Sequence, residues 1–278
     1  MPIAYSSAIC PPPCQGGDAL SFDRALAHSY KSNSQRARVL TEAWAGLHLY
    51  CPACGQEHLT HYEANKPVAD FFCSGCGADY ELKSKRQTTY RTEKRITDGA
   101  YASMMQRISS LSNPHLLFMT HDGQRVTSLC FIPKHFFTAS CIEPRKPLGP
   151  HARRAGWQGC NILLSSIPEA GKIYLIRQSR MLRRQEALLL YQQSERVLTS
   201  NMGCRGWMLD ILRCIDDIPA NEFALSEVYA FEQKLRLLHP GNHNIRAKIR
   251  QQLQFLRDRG IIEFSSRGQY RKTLTFTP

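Results

Sequence analysis

Residues 67–83, PVADFFCSGCGADYELK, read as two short strands joined by a turn that carries two cysteines. Asp70 lies in the first strand, and Glu81 and Lys83 lie in the second. Residues i and i+2 of a strand face the same side, so Glu81 and Lys83 project together while Leu82 points into the core. The stretch therefore predicts a hairpin that brings two carboxylates and an ammonium close together.

Two Cys-x-x-Cys pairs frame this hairpin. Cys51 and Cys54 precede it, and Cys73 and Cys76 form its turn. Two such pairs at this distance are typical of a structural zinc site with four thiolate ligands. Redox-active pairs are the alternative. We predict structural Zn²⁺, because four ligands fill a tetrahedral shell and leave no position for catalysis.

Two carboxylates beside a lysine suit phosphodiester hydrolysis. Asp70 and Glu81 can hold Mg²⁺ through oxygen atoms, with the Leu82 carbonyl as a third ligand. The ion lowers the pKa of a bound water, and Lys83 can orient or help deprotonate that water and stabilise charge on phosphorus. The pattern is that of the PD-(D/E)xK nucleases, with Val68-Ala69-Asp70 in place of Pro-Asp. Charged residues on a solvated strand are the alternative.

Hydrophobic periodicity predicts the elements around the hairpin. A helix is expected over residues 34–49, where Glu42 is either an additional acid near the metal or a surface residue. A second helix is expected over residues 97–111, and buried strands over residues 116–119 and 129–132. These elements predict an α/β sandwich around a mixed sheet.

The charge of the chain indicates a polyanionic partner. The sequence has 36 Lys and Arg against 23 Asp and Glu, a formal net charge of +13. Neutralising phosphates releases condensed counterions, so such a chain binds nucleic acid favourably. A generic basic surface is the alternative. Residues 145–205 hold eleven of the basic residues and three of the acids, which favours a concentrated patch.

The 11 cysteines do not indicate a disulfide framework in a chain of this size. No basic segment followed by an apolar core begins the chain, and no apolar run is long enough to span a bilayer. We expect a reduced, cytoplasmic location and no membrane contact. The first residues, with Cys10 and Cys14, are interpreted as a flexible tail.

Residues 143–157 are rich in Pro, Gly and Arg and are predicted to be a loop. Arg153 and Arg154 suit phosphates or guanine edges. Trp157 either stacks on a base or lines an apolar pocket, or it anchors the loop to the core.

The C-terminal part has the pattern of three helices followed by a hairpin, which is the order of a winged helix. The third helix is expected to begin near residues 242–244, and Gly260 ends it. Such a helix normally enters the major groove by its N-terminal end. The DNA-contacting candidates are Asn242, His243, Asn244, Arg246, Arg250 and, in the wing, Arg271. A winged helix used for protein contact is the alternative.

Several long stretches closely resemble the DpnI-type methyl-directed restriction endonucleases. They are YKSNSQRAR (30–38), CPACG (51–55), PVADF (67–71), ELKSK (81–85), DGAY (98–101), ARRAGW (152–157), RGW (205–207) and KIRQQL (248–253). The resemblance covers residues 28–274, but residues 177–196 and the N-terminal extension depart from it.

This resemblance implies a nuclease that cuts both strands of GATC when the adenine carries an N6-methyl group. It implies that the winged helix binds the same methylated sequence, and that Trp157 forms the wall that senses the methyl group. Asp70, Glu81 and Lys83 then take the catalytic roles. The expected partner is double-stranded adenine-methylated DNA, and the protein is expected to be a monomer in solution.

The complete prediction is an α/β nuclease with a mixed central sheet and a structural zinc site, followed by a winged helix. Residues 1–20 form the tail, residues 21–200 the PD-(D/E)xK domain and residues 201–278 the winged helix. Two other functions stay open: a non-enzymatic DNA-binding regulator and a repair or junction nuclease. A regulator needs no acid pair facing a lysine, and a junction nuclease would prefer branched DNA.

Overall fold

The computed structural model describes residues 19–63, 69–87, 93–198 and 202–273. The helices in these ranges are α1 (Asn33–His48), α2 (Tyr101–Ser110), α3 (Arg184–Ser194), α4 (Met202–Asp216), α5 (Leu225–Tyr229), α6 (Glu232–Leu238) and α7 (Ile245–Asp258). None of these helices is long and apolar enough to cross a membrane.

The strands of the same ranges are β1 (Thr60–His61), β2 (Phe71–Phe72), β3 (Asp79–Arg86), β4 (Arg95–Ala100), β5 (His115–His121), β6 (Val126–Ile132), β7 (Ile142–Pro144), β8 (Gly159–Leu163), β9 (Ile173–Arg177), β10 (Arg180–Met181), β11 (Glu222–Ala224), β12 (Ile262–Ser266) and β13 (Gln269–Lys272). The predicted tail cysteines, Cys10 and Cys14, and Pro67 and Val68 of the predicted first strand lie outside the described residues.

A mixed sheet of seven strands forms the centre of the first part, in the order β1-β2-β3-β5-β6-β9-β10. β3 and β5 are parallel, and the other neighbours are antiparallel. A parallel pair needs a long crossover. The segment with β4 and α2 supplies it. The mixed central sheet predicted from the sequence is confirmed.

The predicted hairpin is β2 and β3. Phe71 pairs with Tyr80 and Phe72 with Asp79 in an antiparallel register. Phe71 and Tyr80 are fully buried, and Trp44 and Ala45 of α1 belong to the same hydrophobic cluster. Burial of one face fixes the register, because a slip of one residue would turn every side chain to the other face.

The helix predicted over residues 97–111 is wrong in its first turn. Residues 95–100 form β4, in which Ile96 and Asp98 are buried while their neighbours are not. This alternation is that of a strand, and β4 pairs with β8 in a second sheet of order β4-β8-β7. The helix begins only at Tyr101, and it ends before Leu111, which has φ +58°.

The C-terminal part has the predicted winged-helix order. Helices α4, α5, α6 and α7 precede the hairpin of β12 and β13, and β11 completes a sheet of order β11-β13-β12. Ile249, Leu253 and Leu256 of α7 are buried, and Gly260 follows with φ +66°. The second helix differs from the prediction because it is broken into α5 and α6.

The two parts are in contact through α4. Ser140 Oγ donates to Asp210 Oδ1 at 3.1 Å, and the backbone N–H of Glu169 donates to Asp216 Oδ2 at 2.8 Å. Arg213 Nε donates to the carbonyl of Ser165 at 2.6 Å. Burial raises the pKa of Asp216 to about 6. A carboxylate at this interface is therefore costly to keep ionised.

The described chain begins with packed residues rather than with a tail. Leu20 is 4% exposed, and the carbonyl of Ala19 accepts a hydrogen bond of 3.0 Å from Trp44 Nε1. Both residues belong to the segment predicted as flexible tail, and for these two positions that prediction is wrong. A tryptophan N–H inside a core needs an acceptor, which the chain supplies here.

Candidate functional site

The structure brings Asp70, Glu81 and Lys83 together in one cleft. Asp70 precedes β2, and its Oδ2 accepts a hydrogen bond of 2.7 Å from the N–H of Leu82. Glu81 and Lys83 share one face of β3, with 2.7 Å between Lys83 Nζ and Glu81 Oε1. Asp79, two residues before Glu81 in β3, does not line the cleft and instead accepts a hydrogen bond from the hydroxyl of Tyr62 at 2.6 Å.

The charges of these groups influence one another strongly. Burial raises the pKa of Asp70, and the hydrogen bond from Leu82 offsets part of that shift. Burial also raises the pKa of Glu81, against the attraction of Lys83. For Lys83, burial alone would lower the pKa, but Glu81 and Asp98 outweigh it and raise the pKa. Lys83 is therefore a cation and a hydrogen-bond donor.

Asp98 is a member of this cluster that the sequence analysis did not assign. Its Oδ1 lies 2.7 Å from Lys83 Nζ, and its side chain is 6% exposed. It comes from β4, in a different sheet from Lys83. The stretch DGAY was noticed as a motif. Because residues 97–111 were incorrectly predicted as a helix, the sequence did not predict that the Asp98 side chain faces Lys83. The available signal was the spacing of two residues between Ile96 and Asp98, which places both side chains on the same face of a strand.

Glu42 lies beside the acid pair rather than on an open surface. It lines the same cleft as Asp70 and Glu81, and its side chain is 17% exposed. Arg38 Nε lies 2.6 Å from Glu42 Oε1, and His61 Nε2 lies 3.3 Å from Oε2. The carboxylate of Glu42 also raises the pKa of Asp70. Of the two interpretations of Glu42, the structure favours the additional acid.

The donor set fits a divalent cation. The cleft holds the carboxylates of Glu42, Asp70 and Glu81, which are the oxygen ligands that Mg²⁺ prefers. Adding positive charge there would lower the raised pKa values of Asp70 and Glu81. The cleft, with a volume of about 910 Å³, extends beyond the acids along α1 and the β5–β6 turn. Its basic lining residues, which the sequence analysis did not assign, are Arg24, Arg36, Arg38 and Arg86.

The four predicted zinc ligands converge. The sulfur atoms of Cys51, Cys54, Cys73 and Cys76 all lie within 4.8 Å of one another. Cys51 and Cys76 are 3.7 Å apart, and Cys54 and Cys73 are 3.5 Å apart. Zn–S bonds of about 2.3 Å in a tetrahedron place sulfur atoms roughly 3.8 Å apart, so the four thiols are arranged to bind zinc.

Tyr80 joins the thiol cluster to the acid cluster. Its hydroxyl lies 2.9 Å from Sγ of Cys51, and it precedes Glu81 in β3. The Tyr80 ring stacks on the ring of His115 in the neighbouring strand β5. Because consecutive residues of a strand point to opposite faces, Tyr80 anchors β3 on the thiol side and leaves Glu81 facing the cleft.

The predicted loop connects β7 to β8. Its ends are held together by hydrogen bonds from the N–H of Arg145 to the carbonyl of Gly159 (2.9 Å) and from the N–H of Leu148 to the carbonyl of Trp157 (2.9 Å). Arg153 and Arg154 are exposed, and the Arg154 guanidinium lies 4.9 Å from the centre of the half-buried Trp157 ring.

The candidate residues of the winged helix lie where the pattern predicts, but several of the basic ones contact neighbours in their own domain. Asn242, His243 and Asn244 precede α7, and the Asn244 N–H donates to Asn242 Oδ1 at 2.8 Å. The basic candidates and their partners are Arg246 with Glu232 (2.7 Å), Arg250 with the hydroxyl of Tyr229 (2.7 Å) and Arg271 with Glu222 (2.8 Å).

Comparison with known protein families agrees with both parts of this structure. The Dam-replacing family (DpnI) matches residues 19–200, and the Dam-replacing HTH domain (DpnI_C) matches residues 203–272. The chain belongs to the DpnI family. The first match includes residues 177–196, the stretch in which we found no resemblance, so the departure there is local.

Membership of the DpnI family establishes the general activity. The chain is a nuclease of the methylation-dependent restriction type, and DNA is its partner. The four-cysteine cluster adds a site that could bind zinc beside the candidate catalytic strands. The predicted fold, a mixed α/β nuclease followed by a helix-turn-helix domain, is confirmed.

Proposed function

We propose that this DpnI-family protein is a type II restriction endonuclease that hydrolyses double-stranded DNA at GATC sites containing N6-methyladenine. The observation that carries the proposal is the convergence of Asp70, Glu81 and Lys83 in one cleft beside a third acid, Glu42. We further propose that residues 21–200 cut the DNA, and that residues 201–278 bind the same methylated sequence.

Asp70 and Glu81 would hold Mg²⁺, with the Leu82 carbonyl as a third ligand. When bound, this ion supplies charge neutralisation at the scissile phosphate and a water of lowered pKa. The hydrogen bond from the N–H of Leu82 holds one of the two carboxylate oxygens of Asp70, Oδ2, in place. Lys83, held as a cation, donates to the attacking water or to a phosphate oxygen and stabilises the negative charge that develops there.

Recognition of the methyl group is assigned to Trp157 in the loop between β7 and β8. Burying one methyl group contributes about 0.8 kcal/mol, a roughly fourfold preference. Two methyl groups on a palindrome then give about fifteenfold, which is too little to protect unmethylated DNA. Reading in both domains multiplies the preference, and a pocket shaped for the methylated base penalises the unmethylated one.

The assignment of Trp157 has its own test. Trp157→Ala removes the ring that Arg154 contacts. We expect it to lower the ratio of methylated to unmethylated cleavage several-fold, which is roughly the preference that burial of the methyl groups provides. The two rates are measured on matched duplexes that differ only in methylation. An unchanged ratio would show that Trp157 does not sense the methyl group.

The experiment for the whole proposal is digestion of one plasmid prepared from an adenine-methylating host and from a non-methylating host. With Mg²⁺, only the methylated plasmid should be cut, and the fragments should end at GATC. Without added divalent cation, neither should be cut. A branched duplex without methylation serves as the third substrate. Equal cutting of both plasmids, or preference for the branched duplex, would contradict the proposal.

A further inference from the structure

Lys83 is held by two carboxylates that come from two different sheets. Glu81 is its neighbour on β3 of the seven-stranded sheet, and Asp98 lies on β4 of the three-stranded sheet. Both contacts measure 2.7 Å. A lysine side chain is a flexible four-carbon stem. One carboxylate alone would leave the ammonium free to turn around it, and the second contact defines its position.

The two carboxylates are not equivalent. Glu81 lines the cleft and is proposed to hold a metal ion, so its oxygen atoms are shared between that ion and the Lys83 ammonium. Asp98 is absent from the residues that line the cleft, and its side chain is 6% exposed. The contact that remains dedicated to the Lys83 ammonium is therefore the one with Asp98.

The strand that carries Asp98 is paired with the strand that leaves the Trp157 loop. Asp98 pairs with Cys160, and Ala100 pairs with Gly159 after a bulge. The N–H of Tyr101 donates to the carbonyl of Gln158 at 3.0 Å. The Trp157 ring is packed so closely over Gly159 that a Cβ atom there would lie 2.9 Å from it. The Trp157 loop is thus connected to β4 by contacts within two or three residues of Trp157.

We propose that Asp98 is a positioning residue that holds the Lys83 ammonium for DNA cleavage and links it to the loop carrying Trp157. This inference rests on the proposed function of the same cleft. A base bound against Trp157 sets the position of β8, β8 sets that of β4, and Asp98 sets that of Lys83. Reading of the base and assembly of the catalytic groups then occur in one step.

The test compares Asp98→Asn with the wild-type protein on methylated and unmethylated duplexes. Displacing a catalytic group by about 1 Å costs roughly 100-fold in rate, so kcat should fall by about that factor while KM and DNA binding stay near wild type. The preference for methylated DNA should fall as well, and Trp157→Ala added to Asp98→Asn should lower it little further. Asp79→Asn, which removes a carboxylate that does not line the cleft and that accepts its hydrogen bond from Tyr62, should leave all these values unchanged.

A second variant covers the case in which Asp98→Asn does not fold. Asp98→Glu keeps the charge but adds one carbon to the side chain, so kcat should fall while thermal unfolding stays close to wild type. A crystal structure should show the Lys83 ammonium displaced. Wild-type kcat in both Asp98 variants would overturn the inference, and so would independent, multiplicative losses of preference in the double variant. If the wild-type protein itself does not cut methylated DNA, it is the proposed function that fails.

Discussion

The cleavage hairpin and the winged helix use charged residues in opposite ways. In the hairpin, Lys83 is held between Glu81 and Asp98 among partly buried groups. In the winged helix, Arg246 and Arg271 are exposed and paired with the acids Glu232 and Glu222. Buried charges keep their positions before a ligand arrives, whereas exposed pairs contribute little and exchange partners easily. The first arrangement suits chemistry, and the second suits a surface that must release its own acids to bind phosphates.

This difference also bears on how the net charge is interpreted. The formal charge of +13 suggests a strongly basic DNA-binding surface. In the described part of the winged helix, the single carboxylate of Glu232 forms ion pairs with two arginines, Arg236 and Arg246, and so compensates part of the positive charge there. By contrast, no described acid forms an ion pair with Arg24 or Arg36 in the cleft of the nuclease domain. Part of the uncompensated charge therefore lies near the proposed cleavage site.

The largest expected effect concerns the support of the hairpin. Cys76→Ser removes one of the four thiols beneath β2 and β3. Structural zinc contributes about 10–16 kcal/mol to the folding of small zinc domains, so we expect loss of bound zinc, a large fall in unfolding temperature and loss of cleavage. Metal analysis and thermal unfolding measure the first two. Cys204→Ser, outside the thiol cluster, is the control, and equal zinc content in both variants would contradict the assignment.

The next effect concerns the contact that α4 of the C-terminal part makes with the nuclease domain, in which Asp216 accepts a hydrogen bond from Glu169. Burial raises the pKa of Asp216 from 3.8 to about 6, so the folded protein favours the neutral acid. The stabilisation is complete at a pH below the unfolded value and is lost as the pH rises through 6. Between pH 4 and 7, the wild-type protein should lose on the order of 3 kcal/mol more unfolding free energy than Asp216→Asn.

Urea unfolding at a series of pH values measures this difference. The control is Asp217→Asn, because Lys234 and Arg213 overcome the burial penalty and lower the pKa of Asp217. The benefit of that group is lost only as the pH falls below about 4, so its removal should not change the slope between pH 4 and 7. Parallel curves for wild type and Asp216→Asn would show that Asp216 is not strained at the interface.

The smallest effect concerns the exposed pairs. Glu232→Gln releases Arg236 and Arg246 from their acid and should strengthen DNA binding a few-fold, with a steeper dependence on salt concentration. Binding of the full chain is measured without added divalent cation. Asp258→Asn, which releases Arg257 at the other end of α7, should change binding less. If both variants bind alike, the N-terminal end of α7 does not face the DNA.

The sequence predicted the local part of the site well. The two-residue period placed Glu81 and Lys83 on one face, and cysteine spacing predicted the thiol cluster that supports them. Both patterns arise within short segments whose geometry is fixed by the strand or by the turn.

The contacts between distant segments were not predictable in this way. Asp98 reaches Lys83 from another sheet, and its strand was predicted as helix because Ala100, Met104, Ile108 and Leu111 also match a helical period. Glu232 and Arg246 are 14 positions apart, so no local period links them. Such pairs depend on tertiary packing, which a single sequence does not display.

The most direct test of the central claim, that the hairpin groups cut DNA, is the single-turnover cleavage rate of methylated duplex by Lys83→Ala. The matched control is Lys85→Ala, which lies two residues along β3 and is paired with Glu93. We predict that Lys83→Ala lowers the rate by about 100–1000-fold, as expected for loss of a donor to the developing charge. Duplex binding should be retained, and Lys85→Ala should cut normally. Cleavage at the wild-type rate by Lys83→Ala would contradict the account.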